Sequence, residues 1–170
     1  MHRMHPTTML KKLRFHKNPI SSMQITPATH ADIPALCELL QILFSQEQEF
    51  TPDIDAQSRG LGNIIASPET GCILVARRQQ QLIGMVNLLY TVSTALGGRV
   101  AILEDMVLLP AERDAGLGSR VLSQAVVYAK AQGCLRITLL TDQSNLAAQR
   151  FYARQGFTPS AMLPMRLDLR

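Results

Sequence analysis

Apolar positions along the chain repeat at two spacings, and the changes from one to the other mark out the elements. Met23 to Thr26 reads as a short strand. Thr29 to Asp32 has the S/T-x-x-D/E form of a helix start, and Ile33, Leu36, Cys37, Leu40, Leu43 and Phe44 then lie three and four apart on one helical face. Thr51-Pro52 suggests a second helix reaching to about Ser67, interrupted by Gly60 and Gly62. Cys72 to Arg77, Leu82 to Val92 and Arg99 to Leu109 are rich in β-branched and large aliphatic residues and are separated by Gln79-Gln80-Gln81 and Gly97-Gly98, which predicts an antiparallel meander. The spacing turns helical from Gly116 to Gln132, where Val121, Leu122, Ala125 and Ala129 form a stripe and Gly133 ends it. Leu135 to Thr141 is again strand. Ser144 or Asn145 can cap a helix running through Phe151 and Tyr152 to Gly156, and Phe157 to Ala161 and Met165 to Leu169 read as closing strands. The predicted order is β-α-(α)-β-β-β-α-β-α-β-β, without an internal repeat.

At 170 residues with 46% hydrophobic content, the chain can bury one sizeable core and is short for two. No apolar run approaches the roughly 18–20 residues of a membrane-spanning helix, so neither a membrane anchor nor a membrane partner is expected. The formal charge of +4 is unevenly placed. Arg3, Lys11, Lys12, Arg14 and Lys17 precede Met23, and the remainder holds 12 basic and 13 acidic residues. Residues 1–22 therefore read as a basic, disordered extension on a near-neutral domain spanning 23–170, which argues against a nucleic-acid partner. Three of the four histidines lie in that extension without accompanying cysteines or carboxylates, so no metal site is expected. Cys37, Cys72 and Cys134 sit singly in apolar runs, as buried thiols in a cytoplasmic protein would.

Candidate chemistry concentrates in the stretch from Leu103 to Gly118. A strand ends near Pro110, a turn carries Arg113, Gly116 and Gly118, and a helix begins at once. Such a start exposes unpaired backbone N–H groups and the positive end of the helix dipole, about half an elementary charge, while glycine lets a phosphate approach the main chain. No Gly-Lys-Ser/Thr follows, as a nucleotide triphosphatase needs, and no Gly-x-Gly-x-x-Gly opens a dinucleotide unit.

The Arg113-x-x-Gly116-x-Gly118 turn after a strand ending in Pro110 resembles the acyl-CoA-binding motif of the GNAT superfamily of N-acetyltransferases. The resemblance extends over about Met23 to Arg170, including the Thr-x-x-Asp helix start and the segment from Ser144-Asn145 to Phe151-Tyr152 and Gly156-Phe157. It implies an α/β (α+β) fold: a central mixed, mostly antiparallel sheet of six to seven strands, flanked by about four helices and splayed between the fourth and fifth strands. It implies acetyl-CoA as co-substrate, a primary amine on a small molecule or peptide as acceptor, and direct attack in a ternary complex; a homodimer is compatible with it. The alternative on the same fold is a non-catalytic acyl-CoA or metabolite-binding module. The family commonly has glycine and then a basic residue after the arginine, whereas this chain has Asp114 and Ala115; aspartate tolerates positive φ better than most residues.

By the same resemblance Met106, Val107 and Leu108 present backbone groups to the pantetheine arm and thioester. Arg113, Asp114, Ala115, Gly116, Leu117, Gly118 and Ser119 surround the pyrophosphate, with Thr141 and Asn145 across the cofactor. Amine acylation needs a base for an ammonium of pKa near 10 and an acid for the departing thiolate. Glu104 and Tyr152 fill those roles in the resemblance, which around Leu103-Glu104-Asp105 is locally similar to spermidine/spermine-type enzymes; on the residues alone Glu104 could instead anchor the amine or form a structural ion pair, and Tyr152 could be a half-buried helix aromatic. Alternation in a strand turns Asp105 to the opposite face from Glu104 unless a bulge intervenes.

Overall fold

The computed structural model describes residues 23–46 and 52–169. Five strands, β1 (Met23–Pro27), β2 (Gly71–Arg78), β3 (Gln81–Ser93), β4 (Gly98–Leu108) and β5 (Ile137–Leu139), lie side by side in sequence order. β1 to β4 pair antiparallel, and β5 joins β4 in parallel through a crossover. Four α-helices accompany them: α1 (Ile33–Phe44), α2 (Ile54–Ala66), α3 (Leu117–Ala131) and α4 (Leu146–Arg154).

The sheet divides the core in two because strand side chains alternate between its faces. On one face Ile73, Val75 and Met85 meet Leu36, Cys37, Leu39 and Leu40 of α1 and Leu61 of α2. On the other, Leu74, Val86, Leu88, Ala101 and Leu103 meet Val121, Leu122, Ala125 and Ala129 of α3. The stripe predicted for α3 is thus the packed one, although the helix begins at Leu117 rather than Gly116.

Local chemistry sets the element ends. A 3-10 turn, His30–Asp32, precedes α1, and the Asp32 carboxylate accepts from the Thr29 N–H at 2.8 Å. α2 starts later than Thr51-Pro52 suggests, with Asp53 Oδ1 accepting from the Ala56 N–H at 3.0 Å; Thr51 itself lies outside the described residues. Gln79 and Gln80, at φ 49° and 74°, make the two-residue β2–β3 connection, where a left-handed pair matches strand twist.

The sheet has five strands among the described residues, not six to seven. Phe157 to Ala161 and Met165 to Leu169, expected as strands, run as irregular chain, and β5 covers only part of Leu135 to Thr141. Pro159 and Pro164 cannot donate to a ladder, and Met165, Leu167 and Leu169, though correctly alternating, are 93%, 84% and 89% exposed with no neighbouring strand to pair with. The basic extension, residues 1–22, lies outside the described residues.

Asp32 also accepts from Arg77 of β2 at 2.7 Å, tying the start of α1 to the sheet. Burial alone would raise this carboxyl, but the bonds from Arg77 and Thr29 outweigh it and hold the pKa below the ordinary aspartate value. A depressed value stabilises the fold above the unfolded-state pKa near 4, and that stabilisation is lost as pH falls through the lower folded-state value. Asp32→Ala is expected to cost about 2 kcal/mol in urea melts at pH 7, a deficit that narrows below pH 4.

Candidate active site

β4 carries one residue too many for its pairing with β3. Val86 faces Met106 and Leu88 faces Leu103, so the single residue Asn87 stands opposite the pair Glu104 and Asp105. Two residues against one is a β-bulge. Its effect on side-chain direction is visible in the packing: Leu103 and Met106, three apart, both belong to the α3 face, while Val107 joins the α1–α2 core. Glu104 alternates away from Leu103 towards the α1–α2 face, and Asp105 reaches that face too, where its Oδ2 accepts from Asn87 Nδ2 at 3.1 Å. The extra residue is thus the intervening bulge that the alternation argument left room for, and it turns Asp105 to the same side as Glu104. Glu104 is exposed and Asp105 half-buried. Burial pushes the Asp105 carboxyl up to about 6, Asn87 pulling it down and the nearby Glu104 charge adding to the rise.

The bulge coincides with the place where β4 and β5 part. β5 pairs only with Ala101, Ile102 and Leu103, whereas β4 continues to Leu108, leaving its β5 side without a strand partner from Glu104 onwards. On the β3 side Met106, Val107 and Leu108 remain paired, with Val86, Met85 and Gly84.

The turn after β4 leads directly to the start of α3. A 3-10 turn, Pro110–Glu112, is fixed to β2 by Glu112 Oε1, which accepts from Arg78 at 2.6 Å. Arg113 Nε donates to the Leu108 carbonyl at 3.4 Å. Asp114 has φ 65°, the left-handed conformation for which aspartate is suited, and Gly116, at φ 74°, caps α3. Nothing lies within 4 Å of where a Gly116 Cβ would stand, so the approach to the helix start is open at that point. Gly118 serves packing instead: a Cβ there would meet the Phe151 ring at 3.4 Å. Ser119 Oγ accepts from Gln155 Nε2 at 3.0 Å, fastening the first turn of α3 to the end of α4. Ala115 is exposed and Leu117 buried.

Asn145 caps α4, its Oδ1 accepting from the Ala148 N–H at 3.0 Å, and Thr141 lies exposed between β5 and α4. Tyr152 packs against the α3-side core, edge-on to Phe151 at 5.1 Å and to Phe157 at 5.6 Å. Its surroundings push the phenol up to about 12, so it holds its proton at any working pH. Burial raises the pKa of Cys37, Cys72 and Cys134, which are free thiols rather than activated nucleophiles. Among the described residues no group of three or more His, Cys, Asp or Glu could hold a metal, and no helix is long and apolar enough to cross a membrane.

The sequence profile of the Acetyltransferase (GNAT) family matches residues 33–157, from the start of α1 to just past α4. The chain belongs to this family. An uncharacterised N-acetyltransferase of Bacillus subtilis, YhfO, is 31% identical over 138 residues, covering 79% of this chain and 89% of its own. A Clostridium acetobutylicum predicted acetyltransferase, solved with acetyl-CoA, superposes with a TM-score of 0.72 at 20% identity, over 86% of this chain and 96% of its own. The aminoglycoside N-acetyltransferase AAC(6')-Iy, solved with CoA, gives 0.72 at 16% identity, over 87% of this chain and 95% of its own.

Within this GNAT protein, Glu104 and Met106 to Leu108 lie on the length of β4 that β5 leaves unpaired, and Arg113 to Ser119 lie in the turn and helix start that follow it. Asn87 was missed. Its signal was a lone amide inside the apolar run from Leu82 to Leu89, and it is 3% exposed. The contact of Gly118 with Phe151 yields a test of the packing: Gly118→Val should overpack the α3–α4 contact and cost about 1–3 kcal/mol in denaturant melts.

Proposed function

We propose that the protein transfers an acetyl group from acetyl-CoA to a primary amine by direct attack in a ternary complex. The observation that carries this reading is the opening between β4 and β5, placed against a helix start whose capping residue, Gly116, has no atoms above it. The turn from Arg113 to Ser119 suits a pyrophosphate, since the N–H groups of the first turn of α3 lack intrahelical partners and Arg113 adds a positive charge. The free edge of β4 from Met106 to Leu108 suits an extended amide chain, which it can bind as a neighbouring strand would. Bound acetyl-CoA supplies the activated acyl group; this chain's own residues orient the reactants and move protons.

Glu104, exposed at the mouth, attracts the ammonium of the acceptor. After the ammonium gives one proton to a carboxylate at the β4 bulge, the amine nitrogen bonds to the acyl carbon, the carbon–sulfur bond breaks, and Tyr152 protonates the departing sulfur and is reprotonated by the second proton of the nitrogen. Thr141 and Asn145 flank the opening from the β5–α4 side. A cleft of about 440 Å³ between α1 and α2, lined by Ile33, Cys37, Glu38 and Ile54, carries one carboxylate, Glu38, that would attract a small cationic amine. The likeness to an aminoglycoside N-acetyltransferase fits such an acceptor.

Acetyl-CoA at about 100 times its dissociation constant should add roughly 2.7 kcal/mol to stability in thermal melts, and the absence of any shift at millimolar acetyl-CoA would overturn the reading. Gly116→Ala should fold at a cost of about 1–2 kcal/mol for a non-glycine residue at positive φ while losing CoA affinity in calorimetry out of proportion to that cost. Tyr152→Phe keeps the ring between Phe151 and Phe157, so its melting temperature should hold while kcat falls about 10²–10⁴-fold at unchanged KM for acetyl-CoA.

A further inference from the structure

We infer that Asp105, held by Asn87 at the β4 bulge, is the group that accepts the proton of the attacking amine, with Glu104 left to attract the ammonium. The inference rests on the acetyl-transfer reading and moves the base role from the residue that the resemblance pointed to. Three features of the geometry support it. The bulge sets both carboxylates on the α1–α2 side of the sheet, immediately beside the point where β5 stops pairing with β4 at Leu103. Tyr152 packs on the other side, with α3 and α4. A carboxyl group and a phenol thus lie on opposite faces of the sheet and do not compete for the same position.

The second feature is the partner. Asn87 is 3% exposed, and its Oδ1 is buried without a hydrogen-bond partner while its Nδ2 donates to Asp105. A carboxylate needs a donor and a carboxylic acid needs an acceptor, and an amide carries both. Rotation of the Asn87 amide lets the same pair hold Asp105 in either protonation state, which a fixed N–H or a guanidinium could not do.

The third is the electrostatic setting. Glu104 is the charge that bears on Asp105; of the elements packed on this face, α1 brings Cys37, buried in its core, and Glu38, exposed, and α2 brings Asp55 and Arg59, both exposed. Asp32 is already engaged by Arg77. No cation neutralises Asp105 among the described residues, in keeping with a pKa of about 6, close to the working range of a general base. The protons balance: one leaves the amine for Asp105 and passes to solvent, and the sulfur receives one from Tyr152, which is reprotonated as the amide nitrogen sheds its second.

Stability and activity should respond in opposite directions. A carboxyl whose folded-state pKa is raised binds more protons in the folded protein, so stability falls as pH rises from about 4 to about 6 and stays lowered above that. Asp105→Asn removes this cost, and its melting temperature should exceed wild type at pH 8 and equal it at pH 4. Thiol release from acetyl-CoA, assayed with spermidine, kanamycin, glucosamine 6-phosphate and a dipeptide, should fall about 10²–10⁴-fold near pH 7 and recover partly near pH 9, where more of the amine is already free. Asn87→Leu removes the bond that lowers the pKa, so the acidic limb of its rate profile should move up. Carbon-13 NMR of labelled aspartates should show a resonance titrating near 6 in wild type that is absent from Asp105→Asn. A Asp105→Asn variant that melts below wild type at both pH values, or a wild type without that titration, overturns the inference. If the wild type binds no acetyl-CoA in calorimetry, the acetyl-transfer reading fails instead, a separate result because Asp105→Asn should bind acetyl-CoA as wild type does.

Discussion

The extra residue in β4 opposite Asn87 is the constraint on which the site depends. A bulge bends its strand and increases the local twist, so a β4 that stays paired with β3 through Leu108 turns away from β5 beyond Leu103. One insertion accomplishes two things. It frees the β5-facing edge of β4 and it brings two adjacent carboxylates to the same face, which regular alternation forbids. Gly84 allows the bent strand to come close: a Cβ there would overlap the side chain of Leu108.

The remaining parts hold the helix start at the end of that freed edge. Glu112 is pinned by Arg78, Arg113 reaches back to the Leu108 carbonyl, and two left-handed residues, Asp114 and Gly116, reverse the chain into α3. Gly118 lets α3 lie against Phe151, and the Ser119–Gln155 bond closes the arrangement from α4. The positive end of α3 is therefore placed by β2, β4 and α4 together rather than by its own sequence.

Much of this was legible in the residues. The stripe of α3, the meander, the glycine stop at Gly133 and the Thr29–Asp32 start all follow from spacing and cap chemistry that act within a few residues. The bulge was not, because register belongs to a pair of strands and Leu103, Asp105 and Val107 alternate acceptably when read alone. Two neighbouring carboxylates in an otherwise apolar strand, facing a lone Asn87 in the next, were the trace it left. The two closing strands were misread for a related reason: Met165, Leu167 and Leu169 have the period of a strand, but period creates no partner. Function was legible as a class through the Arg113 to Gly118 turn, whereas no short-range pattern in the residues encodes an acceptor.

The parallel pairing of β5 has a consequence for the order of assembly. β1 to β4 apart, whose hairpins join neighbours in the chain at β2–β3 and β3–β4, the β4–β5 contact brings Ala101 to Ile137 and must wait for α3 to close the intervening loop. Loop-closure entropy is met before such a contact can repay it, and β5 offers only three residues in return. The opening beside β4 therefore exists only once this non-local contact has formed, and a nascent chain that stops short of β5 has the β2–β4 meander without it.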